Sequence, residues 1–194
     1  MSPCSPAPRS TDSLADDGLK PTLLIASPQL QDPFFEGALV LLWHHDQDGA
    51  LGVVINRHVD HPLEDVLSLD DVDLAEYDNA VVSWGGPVET DTGTVITSHP
   101  LEGEDVHDIG GGLHVSRSQD ALVTAARARG DILLCLGYAG WGPGQLDSEI
   151  EEGSWLFADI DPKLILTRGD DTYHRALASI GLTAHTVWMS PVDA

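Results

Sequence analysis

At 194 residues the chain is long enough to bury one substantial core, and its 42% apolar content excludes a disordered polymer. Asp and Glu number 32 against 9 Lys and Arg, a formal charge of −23. Such a surface repels duplex DNA and anionic membrane, and no run of Lys or Arg opposes it. The acidity serves solubility, as in a salty cytoplasm, or else recruits a basic partner or a cation.

Residues 1–18 are rich in Pro, Ser and Asp, with neither a basic segment nor an apolar centre. They read as a disordered tail rather than a signal peptide or lipoprotein leader, and residues 19–194 as a single domain. A first strand over 22–26 ends at Ser27-Pro28, and Gln31-Asp32-Pro33 makes a turn that presents Phe34 and Phe35. The apolar runs 38–43 and 50–56 bracket the polar stretch 44–49 and predict a hairpin with Asp48-Gly49 in its turn. A short helix over 62–67 and an acidic connector over 70–79 follow. A strand over 80–84 stops at Gly85-Gly86-Pro87, and its hairpin partner spans 94–98. Residues 102–112 read as a surface loop before a short strand at 113–115.

Ser116 is placed to cap a helix over 117–129, which Gly130 ends. The apolar strand 131–136 then enters a tightly folded glycine-rich turn, 137–144. A short acidic helix over 144–152, a strand over 154–160 and a helical turn from Asp161-Pro162 come next. A helix over 170–180 has Asp170 or Asp171 near its cap and Gly181 at its end, and 186–189 closes a sheet edge. Hairpins first and helix–strand alternation later predict one α/β or α+β domain with a mixed sheet. Cys4 lies in the tail and Cys135 in a strand, so no structural disulfide between them is expected, in agreement with a reducing compartment. No apolar run approaches the length of a membrane helix, and a soluble cytoplasmic protein is expected.

The glycine-rich segment is the first candidate site. Gly137-x-x-Gly140-x-Gly142 follows a strand, and Asp159 lies about twenty residues on, as in dinucleotide-binding loops. Three details oppose that reading. The glycines are in the wrong order, Pro143 removes a backbone donor, and Asp147 and Glu149 would crowd a pyrophosphate. What stays open is a rigid connection in which Tyr138 and Trp141 pack under neighbouring loops, or a small-ligand or partner surface built on them. If the strands before Gly85-Gly86-Pro87-Val88 and Gly137–Gly144 run parallel in one sheet, the two segments share an edge.

Catalytic and metal chemistry find less support. Ser83, Ser98 and Ser148 lack a Gly-x-Ser-x-Gly elbow, and Cys135 sits between leucines as a buried hydrophobe. His99 follows a strand without an identifiable nucleophile or orienting acid. The clusters His44-His45, His58-x-x-His61 and His107/His114, with Asp46, Asp60 and Asp108 nearby, form no zinc-site spacing and read as solvent-facing loop histidines. No calcium loop occurs in 70–78, and no P-loop lysine motif occurs, Lys20 and Lys163 being the only lysines. No metal and no cofactor is expected.

Four segments carry a resemblance over roughly residues 18–187. They are Leu23-Leu24-Ile25-Ala26-Ser27-Pro28-Gln29-Leu30 followed by Asp32-Pro33-Phe34-Phe35, then 49–57 (Gly-Ala-Leu-Gly-Val-Val-Ile-Asn-Arg), then Gly85-Gly86-Pro87-Val88, and last 137–146 (Gly-Tyr-Ala-Gly-Trp-Gly-Pro-Gly-Gln-Leu). In that order they resemble the YqgE/AlgH family of small bacterial proteins. The resemblance implies a compact α/β domain with a bifurcated, pseudo-barrel sheet, no agreed catalytic residues, and a transcriptional-regulator label that comes without a DNA-binding motif. Asp147 stands here where the family usually has Glu.

The leading functional reading is a non-enzymatic protein that binds a protein partner or small ligand, with a regulatory role in view. Tyr138, Trp141, Gln145, Gly86 and Pro87 form its recognition patch, and Gly137, Gly140, Gly142, Pro143 and Gly144 form its rigid frame. One alternative is a hydrolase-like pocket using His99 or Cys135. The other is a regulator acting on DNA, which the acidity and the lack of a basic helix disfavour.

Overall fold

The structure, a computed structural model, describes residues 19–59, 63, 80–167, 169 and 171–183. The tail 1–18 with Cys4, residues Asp60 and His61, the connector 70–79, Asp170 and the edge strand at 186–189 lie outside the described residues. So does the helix over 62–67, except for Leu63, which is buried. In chain order the elements are β1 Thr22–Ala26, β2 Leu39–Asp46, β3 Gly49–Val54, β4 Ala80–Trp84, β5 Val88–Thr97, β6 Val106–Gly110 and β7 Leu113–Ser116. They continue with α1 Gln119–Arg127, β8 Ile132–Trp141, α2 Gln145–Glu151, β9 Trp155–Ala158, α3 Pro162–Leu166 and α4 Thr172–Ser179.

The nine strands among the described residues join one sheet in the order β6-β7-β5-β8-β3-β2-β1-β9, with β4 beside β8 off that path. Its pairings are antiparallel except β4 with β8, so the sheet is mixed. The branch point is β8. Its first half, from Ile132 to Leu136, lies between β4 and β5, whereas Ala139, Gly140 and Trp141 pair with β3. The result is a bifurcated, curled half-barrel with helices on its flanks, the single mixed α/β domain that the element order and the resemblance imply.

Three apolar clusters follow from this curl. Its inner face collects Leu23, Ile25, Leu39, Leu41, Leu133 and Cys135 under residues of α3 and α4. The outer face of one wing packs Val95, Ile132 and Leu134 against α1. That of the other packs Leu24, Val40 and Leu42 with Leu146 of α2 and Trp155. Because both faces of β1 and β2 are covered, their apolar runs are continuous instead of alternating. Each fully buried Leu or Ile there contributes roughly 1.5–3 kcal/mol relative to exposure.

Several expectations are corrected. The glycine-rich segment is not a turn from Gly137 onward but the second half of β8, and only Gly142-Pro143-Gly144 turns the chain. Residues 102–112 are not all loop, since 106–110 pair with β7 across a glycine turn. Helix α1 is capped by Ser118, whose side chain accepts from the Asp120 amide. Ser116, expected in that role, ends β7 instead and accepts from the Ser118 amide. β2 extends through His44 and His45 to Asp46, so these are strand residues and not loop residues, and the His45 side chain is only 8% exposed. Among the described residues no helix is long and apolar enough to cross a membrane.

Candidate functional site

The four resembling segments meet in space. Asp32 organises the loop between β1 and β2, accepting from the amides of Phe34 (2.7 Å) and Phe35 (3.0 Å) through Oδ1. Asn56, just after β3, accepts from the Leu39 amide (2.8 Å) and donates to the Gly37 carbonyl (2.9 Å). The next residue, Arg57, donates to the Glu36 carbonyl and lies 5.3 Å from the Trp84 ring centroid. Phe34 stacks on Trp84 at 6.2 Å and 17°, and Phe34 remains 49% exposed. Phe34, Trp84 and Arg57 thus make a partly exposed aromatic corner with one cation against the indole.

β4 runs parallel to β8, so Gly85-Gly86-Pro87 and the glycine segment do share an edge. The Gly85 amide donates to the Leu136 carbonyl, and the Gly85 carbonyl accepts from Val54. A Cβ at Gly86 would collide with the Tyr138 backbone, and one at Gly137 with the Gly86 carbonyl. Gly137 is also at φ +74°, a conformation that L side chains rarely adopt. It is a bulge that resets the alternation of β8. Leu133 and Cys135 face the inner cluster, and so does Tyr138; Leu134 faces outward, and so do Ala139 and Trp141.

The bulge therefore divides the candidate patch. Gly86, Pro87 and Tyr138 come together, whereas Trp141 and Gln145 sit on the opposite face. Trp141 is 6% exposed, stacked on Phe35 (6.2 Å) and edge-on to Trp155 (5.9 Å). Both indoles donate to one oxygen of Glu149, Trp141 at 2.9 Å and Trp155 at 2.7 Å. Gln145 accepts from the Gly142 amide and donates to the other Glu149 oxygen, so its amide closes the start of α2. Pro143 and Gly144 occupy the central positions of a turn closed by the Gln145 amide on the Gly142 carbonyl, with Gly144 at φ 69° and ψ 0° as type II requires. Trp141 thus packs as core. Glu149 was missed because only its spacing four residues after Gln145 hinted at a partner.

A second missed residue is Arg117. Its Nη2 donates to Glu89 (2.7 Å) and reaches Thr92 (3.4 Å), and the guanidinium lies 5.0 Å from the Tyr138 centroid. Opposite Gly137, β5 leaves the ladder between Val88 and Gly93, which brings Glu89 and Thr92 to Arg117. Two clefts flank Gly93 there, of about 220 Å³ and about 570 Å³. A lone arginine before a helix cap carries no sequence signal for this placement.

The groups named for hydrolysis do not assemble. Cys135 is fully buried, and burial pushes its thiol far above the ordinary range, so it is no nucleophile at neutral pH. Neither Cys135 nor His99 lines the two clefts. Ser83 is buried, donating to the carbonyls of Val54 and Arg57. His44 pairs with Asp46, whose carboxyl is held below its ordinary value by the Asp48 amide and then by His44. Among the described residues no three metal-ligating side chains converge.

This architecture and these segments define a class that comparison with known proteins identifies. The AlgH-like family profile matches residues 23–185, and the chain belongs to that family. A UPF0301 protein of Burkholderia vietnamiensis is 38% identical over 169 residues, 83% of this chain and 88% of that one. The solution structure of the AlgH protein from Pseudomonas aeruginosa superposes with a TM-score of 0.70 at 30% identity, covering 100% of both chains. A crystal structure of a Corynebacterium diphtheriae protein shares the fold at a TM-score of 0.68 and 19% identity, covering 84% of this chain and 88% of that one.

Proposed function

We propose that this protein works by binding a protein partner, not by catalysis, through the Phe34–Trp84 stack with Arg57 at its rim. The observation that carries this is the half-exposed Phe34 ring stacked on Trp84 where the four resembling segments converge. Flat aromatics held on a preformed base give large contact area at low entropic cost. Gly86 and Pro87, which follow Trp84, belong to the same proposed patch, and Tyr138 lies against Gly86. Trp141 and Gln145 serve by holding the frame. A regulatory role through such a partner, in a reducing cytoplasm where Cys135 stays a thiol, belongs to the same reading.

Capture from the source cell's lysate on immobilised full-length protein tests it, with mass spectrometry of what is retained. Phe34→Ala is expected to release at least tenfold of a saturable partner while changing stability by no more than about 0.5 kcal/mol. Phe157→Ala, at another exposed aromatic (40%), is the control and should release none. Equal retention by Phe34→Ala and the parent protein would sink the assignment.

A further inference from the structure

Strand β9 ends the sheet. Among the described residues it pairs with β1 alone, and its other edge meets no strand. The Ser27 amide donates to the Ser154 carbonyl (2.8 Å), one step beyond the Ala26–Trp155 pair. Bonded and unbonded pairs alternate along an antiparallel ladder. Leu156 and Ala158 therefore bond to β1, and the amides and carbonyls of Trp155 and Phe157 point away from it. No turn or loop bond takes up those groups among the described residues. The strand also lacks the devices that keep sheet edges from pairing. β6, at the opposite end of the sheet, has them: exposed His107 and Asp108, and a break in register between Asp108 and Gly110. β9 reads Trp-Leu-Phe-Ala, without charge, proline or register break, and its Phe157 ring is 40% exposed.

We propose that the open edge of β9 binds an extended segment of a partner protein as an added strand, one with an apolar centre and Lys or Arg at both ends. Charge names the occupant. Glu151 and Glu152 precede β9 and Asp159 and Asp161 follow it, all exposed, with Lys163 the single cation from 145 to 167. A basic residue at each end of an added strand meets a carboxylate whichever way that strand runs. A second copy does not fit. Antiparallel pairing of two β9 strands sets residues 151 and 152 of one copy against 159 to 161 of the other, acid on acid. The added strand is short, because a Cβ at Gly111 in the β6–β7 turn would lie 3.2 Å from Pro162 and 3.4 Å from Ile160, so that turn closes the edge just past β9. Main-chain bonds to Trp155 and Phe157 supply the affinity, and the Phe157 ring offers a neighbour for one apolar side chain. The site stands whether or not the Phe34–Trp84 stack holds a partner.

The probe is the blocked peptide acetyl-Lys-Lys-Val-Thr-Val-Lys-Lys-amide, titrated into the full-length chain at near-physiological salt and followed by amide shifts and hydrogen exchange. In the free chain the Trp155 and Phe157 amides should exchange fast. Saturating peptide should shift both and slow their exchange about tenfold. Glutamates in place of the lysines, or prolines in place of the two valines, should each weaken binding about tenfold. Phe157→Pro, which removes an edge donor that β1 does not use, should weaken it as much. Phe157→Ala keeps that donor and should weaken it less than about threefold. No saturable shift at the two amides, or equal binding of the glutamate or proline peptide, overturns the proposal without any variant, and so does undiminished binding by Phe157→Pro. Slow exchange of both amides in the free chain overturns it too: at every protein concentration it would assign the edge to residues 184–194, and at high concentration alone to a second copy.

Discussion

The two halves of β8 are one strand held by different physics. From Ile132 to Leu136 the strand is apolar, ordinary in conformation and paired along both edges, to β4 and β5. From Gly137 to Trp141 it bulges, changes partner to β3 and depends on missing side chains where Gly86 crosses it. Apolar burial drives the first half, while the second is permitted by glycine and then fastened by a polar device, the Glu149 carboxylate under two indoles. Where a sheet branches, the strand that serves both wings needs a point at which its alternation resets. Gly137 supplies it.

The comparison can be broken in four ways, taken from the largest expected effect. Trp141→Ala removes the aromatic anchor of the second half and should cost roughly 3–5 kcal/mol in urea unfolding. A loss below about 1 kcal/mol would show the ring is not core. Gly137→Ala should cost roughly 2–4 kcal/mol through backbone collision and a left-handed residue. Gly140→Ala, whose Cβ would meet the Tyr138 ring edge at 3.3 Å and the Leu51 side chain at 3.9 Å, should cost less than about 1 kcal/mol. Similar unfolding curves for these two variants would refute the bulge as the special point.

Glu149→Gln keeps the shape but replaces a charged acceptor shared by two indoles, and about 1–2 kcal/mol should be lost. Tryptophan fluorescence should report the change together with denaturant unfolding; an unchanged midpoint would leave packing alone to hold the second half. The smallest effect belongs to the first half. Because burial raises the Cys135 thiol above its ordinary 9.0, its contribution is fully present below pH 9 and fades as pH rises and the unfolded chain ionises. Stability should fall above pH 9 by at most about 1.4 kcal/mol per pH unit more than in Cys135→Ala. Parallel pH profiles for the two proteins would show the thiol to be accessible.

Much of the fold was legible beforehand. Asp48-Gly49 marked its hairpin, Asp161-Pro162 opened α3 with Asp161 accepting from the Lys163 amide, and the apolar runs marked β1 to β4. The strand at 106–110 was not legible, because its exposed His107 and Asp108 carry no apolar pattern and it forms only by pairing with β7. Within the candidate site, Gly86 lies against the Tyr138 backbone at the β4–β8 edge. Trp141 lies with the outer cluster instead of beside Tyr138, a separation that three residues of sequence do not reveal once a bulge intervenes.

By itself the sequence determined the local conformations and the partition of apolar from polar surface, because turn chemistry, capping and burial tendency act within a few residues. It also carried the family segments whole. Only the tertiary structure decided that a run of glycines is a strand, that Tyr138 and Trp141 face opposite ways, and that Arg117 stands over Tyr138 beside a cleft. Those outcomes depend on which distant strands pair and at what register. That choice is made by the sum of contacts across the whole sheet and leaves no mark on any short stretch of chain.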